Sequence, residues 1–158
     1  MSIYRRYKNK DYEDVYKHLL KSNMFDTNAD IMLFAALIGL LEKNYTEFKH
    51  KKNNSIEIKH ETFKNGIRER IIEMICLKKH GKIDVFKDDT TTITTNAKII
   101  EGYAISGIEK IQSILSVSKT NTNLSNDVSG KILEYLQKRN FIKKLNSNKG
   151  GPNPIPLN

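Results

Sequence analysis

The chain has 158 residues, is 38% hydrophobic and 28% charged, and carries a formal net charge of +9. Its apolar residues are clustered and periodic, which excludes an intrinsically disordered chain and is typical of one ordinary domain with a small appendage. The longest apolar stretch without charge, residues 31–41, falls short of the roughly 20 residues that a membrane-spanning helix needs.

The basic balance favours polyanionic partners such as DNA, or an acidic protein surface. The excess charge is densest at the C-terminus, where residues 121–158 hold six Lys or Arg against two Asp or Glu. A solubilising surface is the alternative explanation.

No secretory leader is evident in the charged first ten residues, so we expect a cytoplasmic protein without membrane contact.

Amphipathic helices dominate the first half of the chain. Residues 10–22 predict a helix with one buried stripe, capped by Asn9. Residues 27–41 predict a second helix, which Thr27 can cap. This helix is apolar on all sides, so it must be central to the core or shared between subunits. A basic loop over residues 43–54 follows, and then a very short strand around residues 56–58.

The second half continues the helical pattern. A third helix is predicted over residues 61–79, with Phe63, Ile67, Ile71, Met74 and Ile75 on one face and Gly81 as its stop signal. The single cysteine, Cys76, excludes an intramolecular disulfide and is expected to be a buried small hydrophobe. Threonine-rich residues 90–95 predict a linker.

A fourth helix is predicted over residues 96–115. Gly102 and Gly107 lower its helix propensity, which indicates tight packing or a contact for a partner, and makes Gly102, Tyr103 and Gly107 candidate partner contacts. Residues 116–126 are rich in Ser, Thr and Asn and predict a linker. A fifth helix over residues 127–139 and a strand over residues 141–145 complete the pattern.

These elements predict a mainly α fold: a compact domain of four to five helices with at most one or two very short strands. We divide the chain into a helical core domain at residues 1–115, a linker at residues 116–126 and a basic C-terminal helix with a strand and tail at residues 127–158.

Catalytic motifs are scarce. The four histidines lack metal-site spacing and are expected to be solvated, and phosphate-loop and dinucleotide motifs are absent, so the sequence predicts no metal and no cofactor. Glu57 and Lys59 form the E-x-K arrangement of many metal-dependent nucleases, but a second carboxylate on a neighbouring strand is missing. We therefore expect a protein that is not an enzyme.

Basic segments supply the candidates for contact with DNA phosphates. Such contacts would gain affinity by releasing counterions, although each segment could equally be a solvated surface. The candidates lie before the first helix, in the basic loop and near the C-terminus: Arg5, Arg6, Lys8, Lys49, Lys51, Lys52, Lys138, Arg139, Lys143 and Lys144.

Several phrases in residues 1–115 resemble the family of DNA phosphorothioation system-associated protein 4. They are Arg5-Arg6, the helix entry at residues 25–27, the apolar phrase at residues 30–39, and the segments at residues 83–88 and 101–108. The resemblance implies a role beside genes that place sulfur in the DNA backbone and restrict unmodified DNA, in defence against phage. It carries over no catalytic residues, and residues 121–158 are expected to lie beyond the family pattern.

Two functions follow as hypotheses. The first is a non-catalytic accessory or assembly subunit of a DNA-modification-linked antiphage system, which binds a protein partner or a second copy of itself and has DNA as a candidate ligand. The alternative is a DNA-binding regulator. In that case the helix ending at Arg139, followed by Lys143 and Lys144, would be the second half of a winged helix-turn-helix.

Overall fold

The computed structural model describes residues 3–47, 49, 55–64, 66–118 and 121–141. In chain order the helices and strands are β1 (Ile3–Tyr7), α1 (Lys10–Lys21), α2 (Asn28–Leu41), β2 (Ser55–Lys59), α3 (Ile67–His80), α4 (Thr90–Leu115), β3 (Ser116–Ser118), β4 (Asn121–Leu124) and α5 (Val128–Lys138). Short 3-10 turns occupy His60–Thr62 and Ile83–Phe86. Within the described residues, no helix has the length and apolar character needed to span a bilayer.

Helices α2 and α4 form the centre of the core and make the most extensive contact between elements. Two glycines allow their backbones to touch. A Cβ on Gly107 would overlap the Ala35 carbonyl, and one on Gly39 would overlap the Tyr103 carbonyl. The expectations of a central second helix and of tight packing at Gly107 are therefore confirmed.

The remaining elements surround this pair. Helices α1, α3 and α5 each contact α4, and β1 lies against α4 while it pairs with β2 in an antiparallel ribbon. Tyr4 on β1 is buried, with its ring centroid 4.4 Å from that of Phe63. The predicted caps are confirmed, because Asn9 accepts the Asp11 N–H at 3.0 Å and Thr27 accepts the Asp30 N–H.

Two predicted boundaries were wrong. The third helix begins only after Gly66, whose φ of 138° is not helical, and Phe63 packs from the preceding 3-10 turn. The fourth helix includes the threonine segment that was predicted as a linker. Asp89 caps it by accepting the Thr92 N–H at 2.9 Å, and this cap offsets the modest helix propensity of threonine.

The mainly α fold class is confirmed. Four short strands are described, in two antiparallel pairs, where at most two were expected. The pair β3–β4 lies within the segment predicted as a linker, and α5 then packs onto the core through Val128, Ile132 and Tyr135. The division into domains stays a prediction, and the predicted strand after α5 lies outside the described residues except for Phe141.

Candidate interaction surfaces

The three N-terminal basic candidates, Arg5, Arg6 and Lys8, lie in different environments. Arg6 is only 6% exposed, and its guanidinium pairs with Glu13 and lies 4.2 Å from the Tyr16 ring centroid. Arg6 is therefore engaged within the fold in this conformation, and its contact with a phosphate stays a prediction. Arg5 is half-buried and pairs loosely with Glu57 at 3.6 Å, whereas Lys8 is exposed.

The other basic candidates are partly committed within the chain. Lys49 is exposed, and Lys138 is exposed but pairs with Glu134 at 2.6 Å. Arg139 pairs with Glu42 through its Nε at 3.0 Å. Four further candidates, Lys51, Lys52, Lys143 and Lys144, lie outside the described residues. The winged-helix alternative stays a prediction, because its helix is described as α5 but the basic segment after Phe141 is not.

Glu42 joins the end of α2 to α5. It accepts hydrogen bonds from the Tyr135 hydroxyl and from Arg139. The Tyr135 hydrogen bond is the main cause that lowers the pKa of Glu42, and the charges of Lys110 and Arg139 act in the same direction. Arg139 therefore helps to hold α5 on the core, which limits its freedom to contact a phosphate.

The three candidate partner contacts are covered by the chain itself. The loop after α2 crosses α4, where the Thr46 N–H donates to the Gly102 carbonyl at 3.2 Å. The Tyr45 ring rests on Gly102 and meets the Tyr103 ring edge-on at 5.2 Å. Gly107 faces α2 as described above. Contact of these residues with a partner stays a prediction, and in this conformation it would require the loop to move.

The E-x-K pair lies on a strand, as predicted. Glu57 and Lys59 are both exposed on β2, and the Arg5 Nε lies 3.6 Å from the Glu57 Oε1. Among the described residues, no group of three or more His, Cys, Asp or Glu side chains is placed to hold a metal ion.

Two of the four histidines, His18 and His60, depart from the expectation of simple solvation, whereas His80 is exposed as expected and His50 lies outside the described residues. His60 stacks on Tyr4 with ring centroids 6.1 Å apart, and both of its ring nitrogens are buried without a hydrogen-bond partner among the described residues. His18 Nε2 lies 2.6 Å from the Ser125 carbonyl oxygen, which ties α1 to the segment before α5. Cys76 is buried, as expected, and burial raises the pKa of its thiol to about 12.

A buried acid was missed by sequence reasoning. Glu101 is 2% exposed in the middle of α4, where its carboxylate accepts the Arg5 N–H at 2.6 Å. Burial raises the pKa of Glu101 to about 7, against the opposing effects of the Arg5 hydrogen bond and the charges of Arg5 and Lys98. The sequence offered a signal, because Glu101 falls between the apolar residues of the predicted buried stripe.

A lysine face on α1 was also missed. Lys10, Lys17 and Lys21 are exposed and recur at helical spacing, so they share the outward side of α1, with Asp14 among them. Lys8 is exposed just ahead of this helix. The spacing of these lysines is readable in the sequence.

The predicted apolar face of α3 is partly wrong. Ile67 is 78% exposed and Met74 is 67% exposed, whereas Ile72, Ile75 and Cys76 form the face that the core buries. The helix therefore has a second apolar face that points outward.

Comparison with known proteins identifies the family. No curated protein and no solved structure matches the chain. The family model of DNA sulphur modification system-associated protein 4 matches residues 5–150. The match reaches past residue 115, where the resemblance was expected to end, so α5 is part of the family pattern. The chain belongs to the family of DNA sulphur modification system-associated protein 4.

Proposed function

We propose that this protein is a non-catalytic accessory or assembly subunit of a DNA sulphur modification system, acting in defence against foreign DNA by binding a protein partner. The family match over residues 5–150 is the observation that carries the proposal, because the family description names a protein associated with the modification system. A protein described as associated with the system is more consistent with an assembly role than with a catalytic role. The outward apolar face of α3 supports it, since exposed apolar patches often mark protein interaction sites.

Binding to the other proteins of a sulphur modification system tests this function. Each of those proteins, encoded in the same genome, would be purified separately and mixed with the full chain. The mixtures would be analysed by size-exclusion chromatography with light scattering. A stable complex with one of them is expected. A chain that stays monomeric and unbound with all of them at high concentration contradicts the proposal.

Duplex DNA is a second candidate ligand, and the lysine face of α1 is the observation that favours it. Lys10, Lys17 and Lys21 share one exposed side of the helix, and cations that neutralise phosphates make affinity fall steeply as salt rises. Reversing all three to Glu should flatten that dependence. The arginine pair is a poor test, because Arg6 is buried.

The matched control for this experiment reverses Lys82, Lys98 and Lys131 to Glu, which are three exposed lysines elsewhere in the fold and change the net charge by the same amount. If the control and the α1 variant lose affinity for duplex DNA equally, the charge of the whole molecule governs binding and the α1 face is not a specific interface. Absence of duplex binding near 50 mM salt, where phosphate contacts are strong, would remove DNA from the proposed function.

A further inference from the structure

The outward face of α3 carries an apolar stripe. Ile67, Ile71 and Met74 follow each other at intervals of four and three residues, so they lie on one side of the helix over about 10 Å. Ile67 is 78% exposed, Met74 is 67% exposed and Ile71 between them is half-buried. The inward face of α3 is made by Ile72, Ile75 and Cys76, and Ile71 packs partly against the core from the edge of that face. The two exposed ends of the stripe, Ile67 and Met74, are therefore additional apolar surface.

A groove adjoins the N-terminal end of this α3 stripe. It has a volume of about 410 Å³, and Ile67, Met24 and Phe25 are among the residues that line it. Its polar side is fixed by the ion pair between Arg68 and Asp30, whose Nε and Oδ1 atoms are 2.8 Å apart. The groove combines apolar side chains with charged ones, so beside the apolar helix face it offers a place for a bulky side chain with a polar end from a partner.

The charges around the stripe define the partner. Every exposed residue of α3 is apolar or basic, and the basic ones include Arg70 and Lys78, which flank the stripe. The two acids of the helix, Glu69 and Glu73, are half-buried, and Glu73 pairs with Arg70 at 2.6 Å. A second copy of the chain would bring the same cations face to face, with a net charge of +9 on each molecule. Charge complementarity therefore favours an acidic partner over self-association.

We propose that the α3 stripe and its groove dock an amphipathic helix of a partner protein, with apolar residues on one face and acidic residues at its flanks. An apolar helix face with a recess at one end is a common way to bind such a helix, and methionine adapts well to the partner's shape. Duplex DNA fits the site less well, because the exposed apolar side chains are aliphatic and match no phosphate. This inference rests on the proposed function as an assembly subunit.

A synthetic helical peptide provides the test. The probe has leucines at i, i+3, i+4 and i+7 with flanking glutamates, and its matched control has lysines in place of the glutamates. Binding to the full chain is measured by fluorescence anisotropy. We expect the acidic peptide to bind to the wild-type chain. The double substitution Ile67→Ser and Met74→Ser, called the serine variant, should weaken the affinity for this peptide at least about tenfold. Ile83→Ser is the matched control, because Ile83 is also 78% exposed but lies beyond the end of α3.

Charge reversal gives a second, independent result. Lys78→Glu should weaken binding of the acidic peptide and strengthen binding of the lysine peptide, whereas Arg70 already pairs with Glu73 and is left unchanged. Unchanged thermal melts would show that all variants remain folded, as expected for exposed positions. The proposal is overturned if the acidic peptide does not bind, if the two peptides bind equally, or if the serine variant keeps its affinity. It is also overturned if the serine variant instead loses affinity for duplex DNA or for phosphatidylglycerol vesicles.

The failure of this inference and that of the proposed function are distinguishable. A sulphur modification protein that binds the serine variant as tightly as the wild-type chain leaves the function standing and removes the α3 stripe as its docking site. If the peptide results hold while every such protein fails to bind the wild-type chain, the docking surface stands and the assembly function does not.

Discussion

Glu101→Gln should remove a pH dependence from the stability of the protein. The pKa of Glu101 is raised by burial from 4.5 to about 7 in the folded chain, so between these values the folded state holds a proton that the unfolded state has released. The stabilising contribution is complete below about pH 4.5 and is lost as the pH rises through about 7. Each pKa unit corresponds to about 1.36 kcal/mol, so the loss approaches about 3 kcal/mol.

The assay is urea unfolding, followed by circular dichroism between about pH 4 and about pH 8.5. The free energy of unfolding of the wild-type chain should fall relative to Glu101→Gln by about 3 kcal/mol across this range. The Gln side chain can still accept the Arg5 N–H, which keeps the change conservative. Glu61→Gln is the control, because Glu61 is exposed and should follow the wild type. Parallel pH curves for the wild type and Glu101→Gln would refute the reasoning. A variant whose free energy of unfolding falls relative to that of the wild type as the pH rises would also refute it.

Other substitutions address packing and charge. Gly107→Ala should lower the free energy of unfolding by about 2–3 kcal/mol, because its Cβ would overlap the Ala35 carbonyl in the core. Gly102→Ala should cost less in urea melts, because its Cβ overlaps mainly the movable Tyr45 ring and lies 3.0 Å from the Thr46 carbonyl oxygen. Arg6→Met leaves a half-buried carboxylate without its cation and should cost about 2–4 kcal/mol, and an unchanged melt would contradict that role. Glu42→Gln should speed hydrogen exchange in α5. It should also remove stability that is present above about pH 4.5 and lost as the pH falls, because the Tyr135 hydrogen bond lowers the pKa of Glu42.

Helix centres were predictable because local patterns and tertiary packing agree there. Residues 31–39 can only be accommodated inside a protein, and α2 is central. Boundaries were less predictable where local propensity and packing compete. Threonines disfavour a helix, yet Asp89 caps their segment, and the Thr94 and Thr95 hydroxyls donate to the Thr90 and Thr91 carbonyls at 2.7 and 2.9 Å.

The strand pairing was not predictable from periodicity. Strand β1 has basic residues at its centre, and its partner β2 is more than forty residues away, with Tyr4 opposite Ile58 and Arg6 opposite Ile56. Only the folded chain shows that Arg6 points inward, where Glu13 and the Tyr16 ring receive it. The number of arginines in a segment of sequence therefore does not tell how many cations a ligand can reach in the folded chain.

The same reasoning changes where a ligand should be sought. Arg6, Arg70 and Arg139 each pair with an acid of the fold, so part of their charge is neutralised before a partner arrives, whereas Lys78 on α3 is exposed. The exposed lysines of α1 face solvent, and on α3 the exposed positions combine cations with aliphatic side chains. A face with lysines but no apolar stripe can attract a phosphate backbone through counterion release. A face with cations beside an apolar stripe matches an acidic amphipathic helix. Because the two faces lie on different helices, the α1 and α3 variants can separate binding to DNA from binding to protein.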